Sequence, residues 1–158
     1  MNAEDVKRHI RTTFDGVDVL EHEGDTFLIY DPAGDLPPER QLPFATIVTG
    51  DHYDTVSALD APGAYRLNIG LTKATYTALF GAAPTQRDEH GVLQTGFDYA
   101  ATDTLMPHPH YASQYWVCVV NPAAATWTSV RDLLAEAHGF AARKHANRQS
   151  HQPASRDA

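Results

Sequence analysis

The run Tyr115-Trp116-Val117-Cys118-Val119-Val120 is hydrophobic at every position. Successive side chains of a strand point to opposite faces, so such a run needs cover on both sides and belongs in the middle of a sheet. Asn121-Pro122 ends it, because proline removes a backbone donor. From Thr126 onward the spacing changes. Val130, Leu133, Leu134, Ala137 and Ala141 fall on one stripe at helical period, with Arg131, Asp132 and Glu136 elsewhere, which predicts a helix docked on that sheet.

Upstream, Val6, Ile10 and Phe14 recur four residues apart, with Asn2 as N-cap and Glu4 and Asp5 in the first turn, so a helix is expected over about 3–13. Val17-Asp18-Val19-Leu20 and Thr26-Phe27-Leu28-Ile29-Tyr30, joined through Gly24-Asp25, read as a hairpin. Pro32, Gly34, Pro37 and Pro38 mark an exposed loop. Strands follow over 44–49 and 64–71. In the second of these Tyr65, Leu67, Ile69 and Leu71 share one face, opposite Arg66 and Asn68. Thr72 caps a short helix over 73–80, with Tyr76, Leu79 and Phe80 expected inward and Gly81 as its stop. Residues 82–111 lack a sustained period and read as loop. The expected fold class is therefore α+β: a mainly antiparallel sheet of about five strands with an N-terminal, a short middle and a C-terminal helix. One domain over 1–145 and a disordered polar tail over 146–158 are expected.

The lone cysteine, Cys118, has no partner for an internal disulfide, which fits a reducing compartment. The N-terminal residues carry charges instead of the apolar run of a signal peptide, and no stretch reaches the roughly 20 apolar residues of a membrane helix. A soluble, cytoplasmic protein without a membrane partner is expected. The net charge is −8, yet Arg143, Lys144, Arg148 and Arg156 make the last part basic, so the body is more acidic than the total. Such a body repels phosphate backbones, and nucleic acid is an unfavourable partner for it except through weak contacts of the basic tail.

The most unusual local feature is Met106-Pro107-His108-Pro109-His110-Tyr111. Histidines two apart share a face in a strand, as two ligands of one ion require, but polyproline II turns them about 240° apart. The prolines favour the second geometry, with one histidine anchoring the loop by hydrogen bonds and the other exposed. A second cluster, Asp51-His52-Tyr53-Asp54, follows the third strand, and meeting the first in space would give oxygen and imidazole ligands for a divalent metal. The alternative is an ordinary turn at Asp51 and a cap at Asp54 for a short helix over 55–59. Candidate binding residues are Asp51, His52, Asp54, His108, His110, Tyr111 and Trp116, with His52, His108 and His110 as candidate metal ligands. Cys118 lies among apolar neighbours and reads as an inert core thiol. No phosphate-cradling glycine motif and no nucleophile elbow occurs.

Asp31-Pro32, the stretch 43–51, Arg66-Leu67-Asn68-Ile69-Gly70, Leu79-Phe80-Gly81, and Met106-Pro107-His108-Pro109 through Trp116-Val117-Cys118-Val119 resemble an uncharacterised bacterial family, the domain of unknown function 6194. The resemblance covers roughly 5–142 and implies no activity. More distantly, Tyr111, Trp116 and the stripe from Val130 to Ala137 resemble MmcQ/YjbR-like domains. That resemblance implies an N-terminal helix, an antiparallel sheet and a late strand feeding a C-terminal helix. The expected function is a small non-catalytic binding or regulatory module without a cofactor, whose partner is a small molecule or a protein. A metal-assisted hydrolase built on the Asp/His cluster is the alternative.

Overall fold

The computed structural model describes residues 1–150, the side chain of Ser150 excepted. Helix α1 (Ala3–Thr13) opens on a reciprocal cap: the Asn2 side chain accepts from the Asp5 N–H while the Asp5 side chain accepts from the Asn2 N–H. This satisfies two of the helix's orphan donors at once. Strands β1 (Val17–His22), β2 (Asp25–Tyr30), β3 (Pro43–Val48) and β4 (Arg66–Gly70) follow, then helix α2 (Lys73–Phe80). Strand β5 (Met106–Pro107), β6 (Trp116–Val120) and helix α3 (Trp127–Ser150) complete the order. The sheet runs β1-β2-β3-β4-β6-β5, with every neighbouring pair antiparallel. The expected α+β class holds, with the two-residue β5 as a sixth strand. Strand β6 is flanked on both sides, as its double-sided apolar character demands.

The two long helices lie on one face of the sheet. Val6 and Ile10 of α1 and Val130, Leu134 and Ala137 of α3 form one core with Leu28, Ala45, Ile47, Leu67, Ile69, Val117 and Val119. The period of α3 dictates this docking, and each fully buried leucine or valine contributes roughly 1.5–3 kcal/mol. Helix α3 continues to Ser150, so 146–150 are helical, and the rest of the expected polar tail lies outside the described residues. In α2, Tyr76 is buried as expected, but Leu79 is 44% exposed. Two turns of helix contain too few apolar positions to fix the inward direction.

Two loop residues close this layer. Asp103, at φ 49°, accepts the N–H groups of Ala123, Ala125 and Thr126 at 2.8, 3.0 and 3.1 Å and the Thr126 hydroxyl at 2.6 Å. It does from a distant loop what an N-cap does locally for α3. The Thr126 hydroxyl, followed by those backbone donors, holds its carboxyl below the usual range. The group's contribution is therefore complete above the unfolded pKa near 4 and is lost as pH falls below it. Asp103→Ala is expected to cost about 1–2 kcal/mol at pH 7, with the difference from wild type shrinking in urea titrations at pH 3.5. Tyr65, in contrast, buries a hydroxyl that has no partner among the described residues, and desolvation pushes its pKa to about 12. Tyr65→Phe is expected to raise the unfolding free energy by about 1 kcal/mol, because a buried unsatisfied hydroxyl is costly. A loss of stability in the same titration would contradict this.

Candidate functional site

On the face of the sheet away from α1 and α3, cross-strand register aligns Thr46, Asn68, Cys118 and Met106 in one row. Val48, Arg66 and Val120 form the next. Alternation puts Arg66 and Asn68 on this side of β4, opposite Leu67 and Ile69, as expected, and an uncovered sheet face would leave them in solvent. Both are buried instead, at 2% and 3% exposure. The loop between β3 and β4 folds back over them, anchored by Leu59 against Val48 and Val120.

A guanidinium is costly to bury, and this one is compensated by four hydrogen bonds from its five N–H donors. Arg66 donates to Asn68 Oδ1 (3.0 Å), Ser57 Oγ (3.0 Å) and both carboxylate oxygens of Asp54 (3.3 and 3.2 Å). Asn68 in turn donates to Thr46 Oγ1 at 2.9 Å. Asp54 is thus the buried counter-ion of Arg66, which corrects the expectation of a helix cap: residues 55–59 form turns. Asp51 closes the same loop. It accepts the Leu59 N–H at 2.8 Å, and its own N–H donates to Asp60 at 2.9 Å.

The histidine loop meets this network. His110 Nε2 lies 3.6 Å from Asp54 Oδ2, so the two sequence clusters converge on one carboxylate. His108 turns inward at 3% exposure. Its Nδ1 accepts the N–H groups of His110 and Tyr111, both at 3.1 Å. Nδ1 must therefore carry the lone pair, which assigns the proton of the neutral ring to Nε2. Burial, then the charges of Arg66 and His110, hold the His108 pKa well below its ordinary value. Outside, Arg87 ties the loop in place through the carbonyls of Gly91 and His110 and the Ser113 hydroxyl.

A second carboxylate–imidazole pair stands beside the first. Asp25, fully buried, accepts the Thr49 N–H at 2.8 Å and faces His52 Nε2 at 2.5 Å. The His52 ring is 4.5 Å from that of Tyr53. Desolvation raises the Tyr53 hydroxyl above its ordinary pKa, and Asp25 and Tyr111 push it the same way. His52, Tyr53, His110 and Tyr111 point outward, with Tyr53 56% and Tyr111 53% exposed and close enough to interact electrostatically, whereas Asp25, Arg66 and His108 are buried and the Asp54 side chain is 9% exposed.

Of the candidate residues, His52, Asp54, His108, His110 and Tyr111 come together, and Asp51 serves the loop behind them. Trp116 stands apart. Its backbone fastens the histidine loop, but its indole lies over Gly70, where an added Cβ would approach to 3.0 Å. Asp25, Tyr53, Arg66 and Asn68 stand with these residues but were not among the candidates read from the sequence. Of the candidate metal ligands, His52 is held by Asp25, His110 by Asp54 and His108 by backbone donors. Among the described residues no group of three or more His, Cys, Asp or Glu is placed to hold a metal ion. Cys118 is buried, and desolvation pushes its thiol up to about 12. No helix among those residues is long and apolar enough to cross a membrane.

Fold and site together define a small α+β domain with an antiparallel sheet, helices on one face and a loop-covered polar layer on the other. The chain belongs to the family of unknown function DUF6194, whose profile matches residues 1–150. No curated protein and no solved structure matches the chain.

Proposed function

We propose that the protein is a non-catalytic binding or regulatory module of the cytoplasm, recognising a small molecule or protein through His52, Tyr53, His110 and Tyr111. One observation carries this reading: Asp54 links His110 of one segment to Arg66 buried beneath the other, so residues far apart in sequence present a single face. Exposed tyrosines flanked by half-buried imidazoles supply apolar area and hydrogen-bonding groups at small entropic cost, a composition suited to recognition. The buried free thiol of Cys118 supports a reducing compartment. The test is a thermal-shift screen of small polar ligands and peptides with NMR mapping. Hits should perturb residues 52–54 and 108–111 and lose affinity in Tyr53→Ala/Tyr111→Ala. Ligands that bind the double variant as tightly as wild type would remove the face from consideration.

A catalytic reading is favoured by the His52–Asp25 pair alone. A carboxylate orienting a partly exposed imidazole is an arrangement used by general bases. Its test is turnover of an activated ester and phosphoester panel. Activity present in wild type and abolished in folded His52→Gln would establish it and displace the non-catalytic reading.

A further inference from the structure

A cavity lies at the other end of β4, away from the histidine face. It has a volume of about 360 Å³ and opens between the segment around 36–44 and the second half of α3. A neighbouring hollow of about 310 Å³ shares Leu36, Arg40, His145 and Arg148 with it. The inner wall is aromatic, formed by Tyr30, Phe44, Trp116 and Phe140, whereas Arg40, Lys144 and Arg148 stand along it.

The segment carrying Arg40 is built, not loose. The Asp31 carboxylate accepts the N–H groups of Asp35 and Leu36 at 3.1 and 3.2 Å, the Gln41 side chain donates to the Leu36 carbonyl at 2.9 Å, and Pro38–Arg40 form a 3₁₀ turn. Opposite, the Lys144 ammonium lies 4.4 Å from the centre of the Phe140 ring. Among the described residues, none of these three cations forms an ion pair with a carboxylate; Asp35 lines only the outer hollow. Burial first, then the like charge of Arg148, lowers the Lys144 pKa. In a chain of net charge −8, cations gathered without an ion-paired carboxylate are stabilised by an anion from outside.

We propose that this cleft binds a small amphiphilic anion, with an aromatic or other apolar body against Phe44, Trp116 and Phe140 and an acidic head group at Arg40, Lys144 and Arg148. The volume is that of a small-ligand pocket and suits a body of one or two rings. A carboxylate, sulfonate or phosphate head shares the needed chemistry, since arginine pairs with each through charge-assisted hydrogen bonds. This site is separate from the histidine face, and neither depends on the other.

The probe is 1-anilinonaphthalene-8-sulfonate, compared with N-phenyl-1-naphthylamine, which has the same rings without the charge. The sulfonate should bind the native protein saturably at one site, and at least roughly tenfold tighter than the neutral dye. Arg40→Gln/Arg148→Gln should weaken the sulfonate by roughly tenfold or more and leave the neutral dye unchanged. Both arginines are exposed, so the variant should keep the wild-type melting temperature. In wild type, 0.5 M sodium chloride should weaken the sulfonate alone, an arm that does not depend on the variant. Tyr111→Ala should change neither dye, which separates this site from the histidine face. Non-saturable sulfonate binding, equal affinity for the two dyes, or insensitivity to both charge removal and salt would overturn the proposal.

Discussion

Arg66→Met is expected to lower the unfolding free energy by about 3–5 kcal/mol, because it removes one member of a buried ion pair and strands the other. Asp54 would keep a carboxylate at 9% side-chain exposure with only the weaker contact to His110. Ser57 and Asn68 would each lose a donor. Methionine roughly restores the volume, so the expected loss is electrostatic and not a cavity effect. That distinction is testable by a cycle. Adding Asp54→Leu to Arg66→Met removes the stranded charge and should recover at least half of the loss, even though more of the network is gone. Urea titration of the four proteins measures the coupling. Additive losses would show that the pair is not coupled and that Arg66 acts through packing alone. The same cycle bears on the proposed function: where Arg66→Met loosens Asp54, His110 loses its reference point, so the affinity of any ligand found for the proposed face should fall before the fold does.

The parts legible in the sequence were those governed by a local rule. Asn2 with Asp5, and Thr72 ahead of α2, announce helix starts through capping chemistry that acts within one turn. The alternation from Tyr65 to Leu71 shows which side chains of β4 share a face. It does not show whether the opposite face is covered, and for Arg66 and Asn68 that is the decisive fact. Cover comes from a loop without periodicity, and the contacts that seat it on the sheet are made to distant residues: Asp54 and Ser57 to Arg66, and Leu59 to Val48 and Val120. Asp25 was hidden for the same reason: beside Gly24 it has the composition of a turn, and only the return of β3 and His52 makes it a buried acceptor. The segment 106–111 drew attention through its composition. The division of labour within it depended on tertiary packing: burial first, and then the charge of Arg66, keeps His108 neutral, while Asp54 gives His110 a partner.

That neutral histidine carries the second large effect. His108→Ala is expected to cost about 2–4 kcal/mol at pH 7.5, since it opens a space in a buried layer and leaves the N–H groups of His110 and Tyr111 without their acceptor. The cost should shrink on acidification, and the sign follows from the depressed pKa. Below an unfolded pKa near 6.5 the unfolded chain takes up a proton at this position and the folded chain does not. The stabilisation is therefore complete above about pH 6.5 and declines below it by up to about 1.4 kcal/mol per pH unit until the folded site itself protonates. Protonation there would put a hydrogen on Nδ1, facing two N–H donors at 3.1 Å, beside Arg66 and His110. Wild type should accordingly lose stability more steeply than His108→Ala between pH 6.5 and 5, with carboxylates and the other histidines contributing equally to both proteins. Paired urea titrations across that range isolate the difference. Parallel slopes would mean that His108 takes up its proton in the folded state as readily as in the unfolded one, and the assignment of Nδ1 as an obligate acceptor would be wrong. Converging curves would identify the inward histidine as the acid-sensitive clasp of the loop that presents His110 and Tyr111.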